Sequence, residues 1–273
     1  MTKNKIPISI VIRCHNDHHV FDCIKSIDEE VEVIVSMTDN YKIKKKLNEL
    51  GIKSIIVPKG NLSITSNCGM VIAKNDIIII TDSDTVFKKN SIRNVYNALG
   101  YYDAARFKVI FQYKKESLTS IIVANARDFI YKKPLFFTPG VAIKKSIIPK
   151  IGNFLFNNAV PWAVDADLTY RMSKAKIQIK YMKNSIIFHK PIKLKHDIKA
   201  AFRIGMGVKV SVRELSKRYK NKREIKKKLK AVKIEDYFKL LEKKGILVMF
   251  YQILWDIFFF LGYYTQTFLK KYP

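Results

Sequence analysis

Ile77-Ile78-Ile79-Ile80-Thr81-Asp82-Ser83-Asp84 is the stretch on which the reading of this 273-residue chain turns. Side chains alternate along a strand, so a continuous run of isoleucines asks for cover on both faces, as in a parallel sheet flanked by helices. The run then stops at two carboxylates. In extended backbone the side chains at i and i+2 point the same way, so Asp82 and Asp84 can face one ligand together. Two hard oxygen ligands at the carboxyl end of a strand suit a divalent cation, Mn²⁺ or Mg²⁺, whose remaining positions go to phosphates and water. The same residues also fit an acidic turn in which Asp84 caps the next helix.

Similar runs recur on either side. Apolar, β-branched segments lie at residues 8–12, 31–35, 54–57 and 77–81, with a weaker one at 104–111. Between them, residues 19–27, 41–50, 64–73 and 91–99 place apolar side chains at helical spacing. This rhythm predicts an α/β fold with a parallel, doubly wound sheet, whose ligands belong at the carboxyl ends of the strands. Beyond residue 113 the spacing predicts a helix at 118–130, a strand at 135–143 interrupted by Pro139-Gly140, a helix at 165–174, two short strands at 177–182 and 185–188, and helices from 195 onward.

Composition sets the outer limits. At 48% hydrophobic and 27% charged residues the chain can bury a sizeable core, which excludes global disorder. The formal net charge of +28 selects an anionic partner: nucleic acid, anionic lipid or a phosphorylated substrate. Half of that excess, a net +14, falls within residues 190–244. Cys14, Cys23 and Cys68 form neither a disulfide framework nor a zinc pattern, and Met1 leads directly into a strand, so reduced thiols and a cytoplasmic location are expected.

Three further segments join the Asp-x-Asp. Ser9-Ile10-Val11-Ile12-Arg13-Cys14-His15-Asn16 opens the sheet, Val33-Ile34-Val35-Ser36-Met37-Thr38-Asp39-Asn40 ends its second strand, and Asn67-Cys68-Gly69 sits in a helix before Asp82. In order and spacing these resemble the family 2 glycosyltransferases of the GT-A fold, whose motifs run S-V-I-I-P-x-Y-N, an acidic turn, A-R-N-x-G and D-x-D. The likeness extends to about residue 190. Gly140 sits in a Pro-Gly segment like the one before the family's acceptor loop, Gly152-Asn153-Phe154 resembles its G-G-F, and residues 162–171, WAVDADLTYR, resemble its E-D-x-D-L-x-x-R. Val164 stands where that motif has Glu, and Arg13 and Ser66 stand where Pro and Arg are commoner.

The resemblance implies a nucleotide-sugar site of Arg13, Asn16, Asp39, Asn67, Asp82, Ser83 and Gly140. It further implies a metal held by Asp84, Asp82 and His189, acceptor contacts at Trp162 and Asp167, and Asp165 as catalytic base. The donor class is a UDP- or GDP-linked sugar, and the acceptor a glycan or lipid-linked molecule. A carboxylate within hydrogen-bond reach of the acceptor hydroxyl can take its proton as the hydroxyl attacks the anomeric carbon. Helix capping by Asp165, with Asp167 in the first turn, is the alternative. His189 fits a ligand or a structural role equally, while His15, His18 and His19 in the first βα loop read as structural or solvated.

From Lys217 to Lys233, 10 of 17 residues are Lys or Arg, without the aromatic interleaving that nucleic-acid binding favours. Residues 246–268 follow, apolar and closed by Lys270-Lys271. Basic clusters beside an apolar helix read as binding to anionic headgroups. Asp256 opposes a membrane span, at a cost of about 2.5–3.5 kcal/mol, so an interfacial or protein-packed helix is expected, and a homodimer interface also fits.

The expected organisation is therefore a catalytic domain over 1–192, divided into a nucleotide-sugar half (1–113) and an acceptor half (114–192). A basic, membrane-associating extension follows over 193–273. A sugar nucleotidyltransferase is the nearest enzymatic alternative, but its G-x-G-x-R loop is missing. An inactive membrane-bound nucleotide-sugar or glycan-binding protein is the alternative outside catalysis, and Val164 is the residue that favours it.

Overall fold

Strand β1 (Lys5–Cys14) is the spine of a computed structural model that describes residues 5–38, 40–57, 62–132, 135–219 and 234–269. It runs parallel to β2 (Glu30–Met37) on one side and to β4 (Ile77–Asp82) on the other, and β3 (Lys53–Ile56) extends β2 in the same sense. Helices α1 (Val20–Lys25), α2 (Tyr41–Glu49) and α3 (Leu62–Ile72) connect these four strands. Both faces are covered, as the isoleucine run requires. Ile8, Ile10 and Ile12 share a core with Val20, Cys23, Ile43 and Leu47, together with Ile92 and Val95 of α4 (Ser91–Ala98). Val11 points the other way, towards α3. There the fit is close: a Cβ on Gly69 would stand 2.3 Å from Val11 Cγ1, so only glycine lets the helix approach.

The other half of the sheet is antiparallel. After β4 come β5 (Thr85–Phe87) and β6 (Ala104–Phe111), then β7 (Val141–Lys144) and β8 (Ile179–His189), in the spatial order β3-β2-β1-β4-β7-β6-β8-β5. β7 inserts between β4 and β6 and opposes both, so β6 runs in the same sense as β4, as the βα rhythm suggested, but does not pair with it. The strand expected at 135–143 is reduced to the four residues of β7. Pro139 has no N–H for a ladder, and Gly140 adopts φ +84. The two short strands expected at 177–188 are one strand instead. β8 has a neighbour on each side, β6 and β5, and runs unbroken through Lys183-Asn184.

The chain forms two compact units interleaved in sequence. The first comprises Met1–Ile110, Phe136–Asn158 and Arg171–His189, and the second Phe111–Leu135, Ala159–Tyr170 and Lys190–Pro273. A cut at 192/193 was expected from composition. The last crossing between units falls at 189/190, and the second unit also takes two earlier segments.

The second unit is helical: α5 (Leu118–Tyr131), the first turns of α6 (Val164–Lys174), α7 (Leu194–Arg218), α8 (Ile234–Lys244) and α9 (Ile246–Phe268). Most of the lysine-rich stretch 217–233 lies outside the described residues. α7 and α9 touch backbone to backbone. A Cβ on Gly205 would fall 1.9 Å from the Phe259 carbonyl oxygen, and one on Gly262 2.0 Å from that of Phe202. Val123, Ala126, Ala201, Val208, Leu240, Val248 and Trp255 fill the space around this crossing. Within it lies a buried ion pair, Arg127 Nη2 to Asp197 Oδ2 at 2.6 Å. Tyr251 donates to the same carboxylate, and the Trp255 ring lies 4.5 Å from the guanidinium.

Candidate active site

In the first unit, the parallel register that pairs Arg13 with Asp82 sets the site at the carboxyl ends of β1 and β4. Arg13 Nε and Nη2 each lie 2.7 Å from Asp82 Oδ1. Arg13 is 5% exposed, and its Nη1 is buried without a hydrogen-bond partner among the described residues. Asp82 thus has a cation beside it from the protein itself.

Ser83 and Asp84 form a two-residue turn between β4 and β5, not the extended segment that the sequence suggested. Thr81 and Thr85 clasp the turn, their hydroxyl oxygens 2.8 Å apart, and Thr85 Oγ1 donates to the Asp82 carbonyl at 2.7 Å. A strand follows the turn, so Asp84 caps no helix. Antiparallel pairing of β5 with β8 sets Thr85 opposite His189 and brings His189 Nε2 to 3.4 Å from Asp84 Oδ2. Burial raises the Asp84 pKa above the ordinary carboxylate value; His189 pulls it down, and Asp82 and Asp17 push it further up.

Asp17 was missed in the sequence, where the neighbouring histidines drew the attention. Its Oδ2 accepts from Ser83 Oγ at 3.0 Å and its Oδ1 from the His19 N–H at 3.0 Å. The available signal was its position, the first acid after a parallel strand that ends at the site. In the same loop, Asn16 at φ +50 accepts from the Asn40 amide, and His15 Nδ1 lies 2.6 Å from Thr38 Oγ1. Asp39, expected to contact the nucleoside, lies outside the described residues.

Two expected contacts brace the scaffold. Asn67 Nδ2 donates to Phe156 O and Asn158 Oδ1, both at 2.8 Å, and its Oδ1 accepts from the Phe156 N–H at 3.2 Å. Gly140 donates to Ile80 O at 2.9 Å, and a Cβ there would come within 2.8 Å of Ile187 Cδ1. Arg171, the last residue of the E-D-x-D-L-x-x-R-like motif, secures the Gly152-Asn153-Phe154 segment. Its Nη1 donates to Ile151 O at 2.7 Å and Phe154 O at 3.0 Å, its Nη2 to Leu155 O, and its guanidinium lies 4.4 Å from the Phe154 ring. Burial disfavours the thiolate at Cys14 and Cys23, raising the first and pushing the second up to about 12.

Among the described residues, no three His, Cys, Asp or Glu side chains form a group that could hold a metal by themselves.

In the second unit, α6 starts at Val164, after Ala163 in the left-handed region at φ +60. Residues two apart on a helix point about 200° away from each other, so Asp165 and Asp167 cannot act side by side. Asp165 is half-buried. Asp167 is 3% exposed and accepts from the Tyr219 hydroxyl at 2.9 Å, while the Tyr219 ring lies 5.0 Å from that of Tyr170. Val164 is also buried, which gives the apolar residue at this position a packing reason. Trp162 is held by Ser211, whose Oγ accepts from its N–H at 3.2 Å and donates to its carbonyl at 2.5 Å. Its ring fills the gap left by Gly207.

Compared as a sequence, the chain matches no protein-family model and no curated protein. Its fold is shared with solved structures. TarS 1–349 of S. aureus in complex with UDP-GlcNAc matches at TM-score 0.52 and 12% identity, over 97% of this chain and 93% of that one. TarS 1–349 in complex with UDP matches at 0.50 and 13%, with the same coverage. A longer S. aureus TarS chain matches at 0.51 and 12%, but this chain spans only 55% of its length. At such identity the likeness defines the architecture: a Rossmann-like, GT-A type glycosyltransferase fold.

Proposed function

We propose that the chain is a family 2-type inverting glycosyltransferase that moves a sugar from a UDP- or GDP-linked donor to a glycan or lipid-linked acceptor at the cytoplasmic membrane face. One observation carries the reading. The carboxylates of Asp17, Asp82 and Asp84 gather with His189 and Arg13 at the strand ends of a fold shared with TarS, whose structures contain UDP-GlcNAc and UDP.

Asp84 and His189, with Asp82, are the residues to hold a Mn²⁺ or Mg²⁺ ion, and the imidazole favours Mn²⁺. When bound, such an ion neutralises charge on the departing nucleoside diphosphate. Arg13 keeps its Nη1 group without a hydrogen-bond partner among the described residues and adds fixed positive charge beside Asp82. Asn16 and Ser83 position the loop and turn around the donor. Asp165 accepts the proton of the acceptor hydroxyl. That oxygen bonds to the anomeric carbon, and the bond from this carbon to the diphosphate oxygen breaks with its electron pair leaving on the diphosphate. Inversion follows from the single displacement.

The test is calorimetric titration of UDP- and GDP-sugars with and without Mn²⁺, on the unsubstituted chain and on Asp84→Asn. The unsubstituted chain should bind one donor class only with the cation present, and the variant should lose that dependence. Equal cation-dependent binding by both proteins would remove Asp84 from the site. Absence of binding to every nucleotide sugar would remove the reading itself.

A further inference from the structure

Among the described residues, α9 is the one helix long and apolar enough to cross a membrane, yet its polarity is inverted relative to a soluble core helix. Gln252, Asp256 and Gln266 turn inward and are at most 6% exposed. Asp256 accepts from the Tyr237 hydroxyl and from Gln252 Nε2, the latter at 3.1 Å. The outward face consists of Leu247, Phe250, Leu254, Ile257, Leu261 and Tyr264, spaced three and four apart and each 42% exposed or more. At about 1.5 Å per residue this stripe runs roughly 26 Å. From 246 to 268 the helix has no charge except the inward Asp256.

α8, held to α9 by Tyr237, exposes apolar side chains of its own. Leu240 is buried and Tyr237 faces α9, which turns Ile234 and Phe238 outward at 75% and 67% exposure. An exposed apolar surface of this extent marks an interaction site.

We propose that the outer face of α9, extended by α8, is a monotopic membrane-docking surface that lies in the headgroup and upper acyl region of an anionic bilayer. The inference stands apart from the donor chemistry and would hold for a protein that transfers no sugar. Three observations choose lipid over a second copy of this chain. First, with Phe260 and Ile246 added to the three-and-four stripe, the apolar arc spans about 140° of the helix circumference, whereas a two-helix seam is narrower. Second, a second copy would bring another +28 charge against the first, while anionic headgroups complement it. Third, the basic residues lie next to this helix in the chain: residues 190–244 carry half the net charge. Spanning is disfavoured by packing, because the inward side is already committed to α5, α7 and α8 through Gly262, Trp255 and the Arg127–Asp197 pair. Asp256 therefore imposes no insertion cost, since it faces protein and never meets acyl chains.

The experiment is co-sedimentation of the full chain with phosphatidylcholine vesicles, with and without phosphatidylglycerol, across ionic strength. Binding should need the anionic lipid at low salt and persist in part at about 0.5 M salt, where the charge contribution is screened and the apolar one is not. Leu254→Glu/Ile257→Glu should weaken partitioning at least about tenfold. A second substitution, Ile257→Trp, removes the risk of a folding defect: its fluorescence should be quenched by brominated lipid. Sedimentation of the unsubstituted chain equal to that of the double variant, or no quenching at position 257, overturns the proposal. So does a stable dimer in solution that the double variant dissociates, which would make this face a contact between copies.

Discussion

Asp82-Ser83-Asp84 and Asp165-Ala166-Asp167 have the same spacing and opposite fates. In the first unit the pair flanks a tight turn at a strand's end, and both carboxylates remain partly exposed, one beside Arg13 and the other beside His189. In the second unit the pair opens a helix, which leaves Asp165 partly exposed and buries Asp167 against Tyr219. Two carboxylates two residues apart can share a ligand on a strand or turn; on a helix they are divided between surface and interior. The first pair suits charge gathered around one anion. The second provides one reactive carboxylate and one structural one.

The sharpest way to break this contrast is Asp165→Asn. If Asp165 is the base, turnover should fall about 10²–10⁴-fold while donor affinity stays within about twofold, since the base acts only as the acceptor's proton leaves. Steady-state kinetics with a separate donor-binding measurement reads both numbers. A fall in donor affinity of the same size would place Asp165 with the first pair. Next in size, Asp84→Asn should weaken donor binding in Mn²⁺ by about tenfold or more and leave thermal stability nearly unchanged, because its side chain is 37% exposed.

Asp167→Asn should do the reverse. Loss of a charged acceptor under Tyr219 should cost about 1–3 kcal/mol in denaturant unfolding, with donor affinity intact. Wild-type stability in this variant would mean that burial of Asp167 is incidental. Gly69→Ala tests the platform behind the first pair. The added methyl would overlap Val11, and about 1–3 kcal/mol of stability should be lost as α3 is pushed from β1.

The smallest effect concerns a carboxylate outside both pairs. Burial alone would raise the Glu32 pKa, but the Ser9 hydroxyl at 2.6 Å, the Lys74 N–H at 2.7 Å and the charge of Lys53 outweigh it, and the net shift is downward. A carboxylate whose folded pKa is depressed stabilises the fold above its unfolded pKa, near 4.5, and loses that contribution as pH falls through the lower folded value. Wild type and Glu32→Gln should therefore differ in stability by about 1 kcal/mol or less at pH 7, and the difference should vanish in acid. A gap that grows on acidification would reverse the sign assigned to Glu32.

The sequence reached a good part of this architecture. Ile77 to Ile80 announced a strand covered on both faces, and α2, α3 and α4 lie within two residues of the spans set by helical spacing. Those features are local, since a run of isoleucines or a three-to-four periodicity contains its own instruction. Other features depend on partners far along the chain. β7 reverses the sheet because it returns after α5 to the edge of β4, and β8 runs unbroken with β5 and β6 as its neighbours. Neither partner is visible from the strand's own residues.

The same division holds at the candidate site. The places of Asp82, Asp84 and His189 at strand ends and of Asp165 at a helix start were legible because strand ends and helix starts have local signatures. The pairing of Arg13 with Asp82, the nearness of Asp17 to Asp84 and the burial of Asp167 came only with the fold. Each depends on register or on contacts across 52 to 69 residues, such as Arg13 to Asp82 or Tyr219 to Asp167. α9 shows the limit most plainly. Composition fixed that residues 246–268 are apolar and helical. Which face looks outward was decided by Gly205 and Gly262 letting α7 and α9 touch and by Tyr237 and Gln252 satisfying Asp256, because a helix's orientation is set by the surface it packs against.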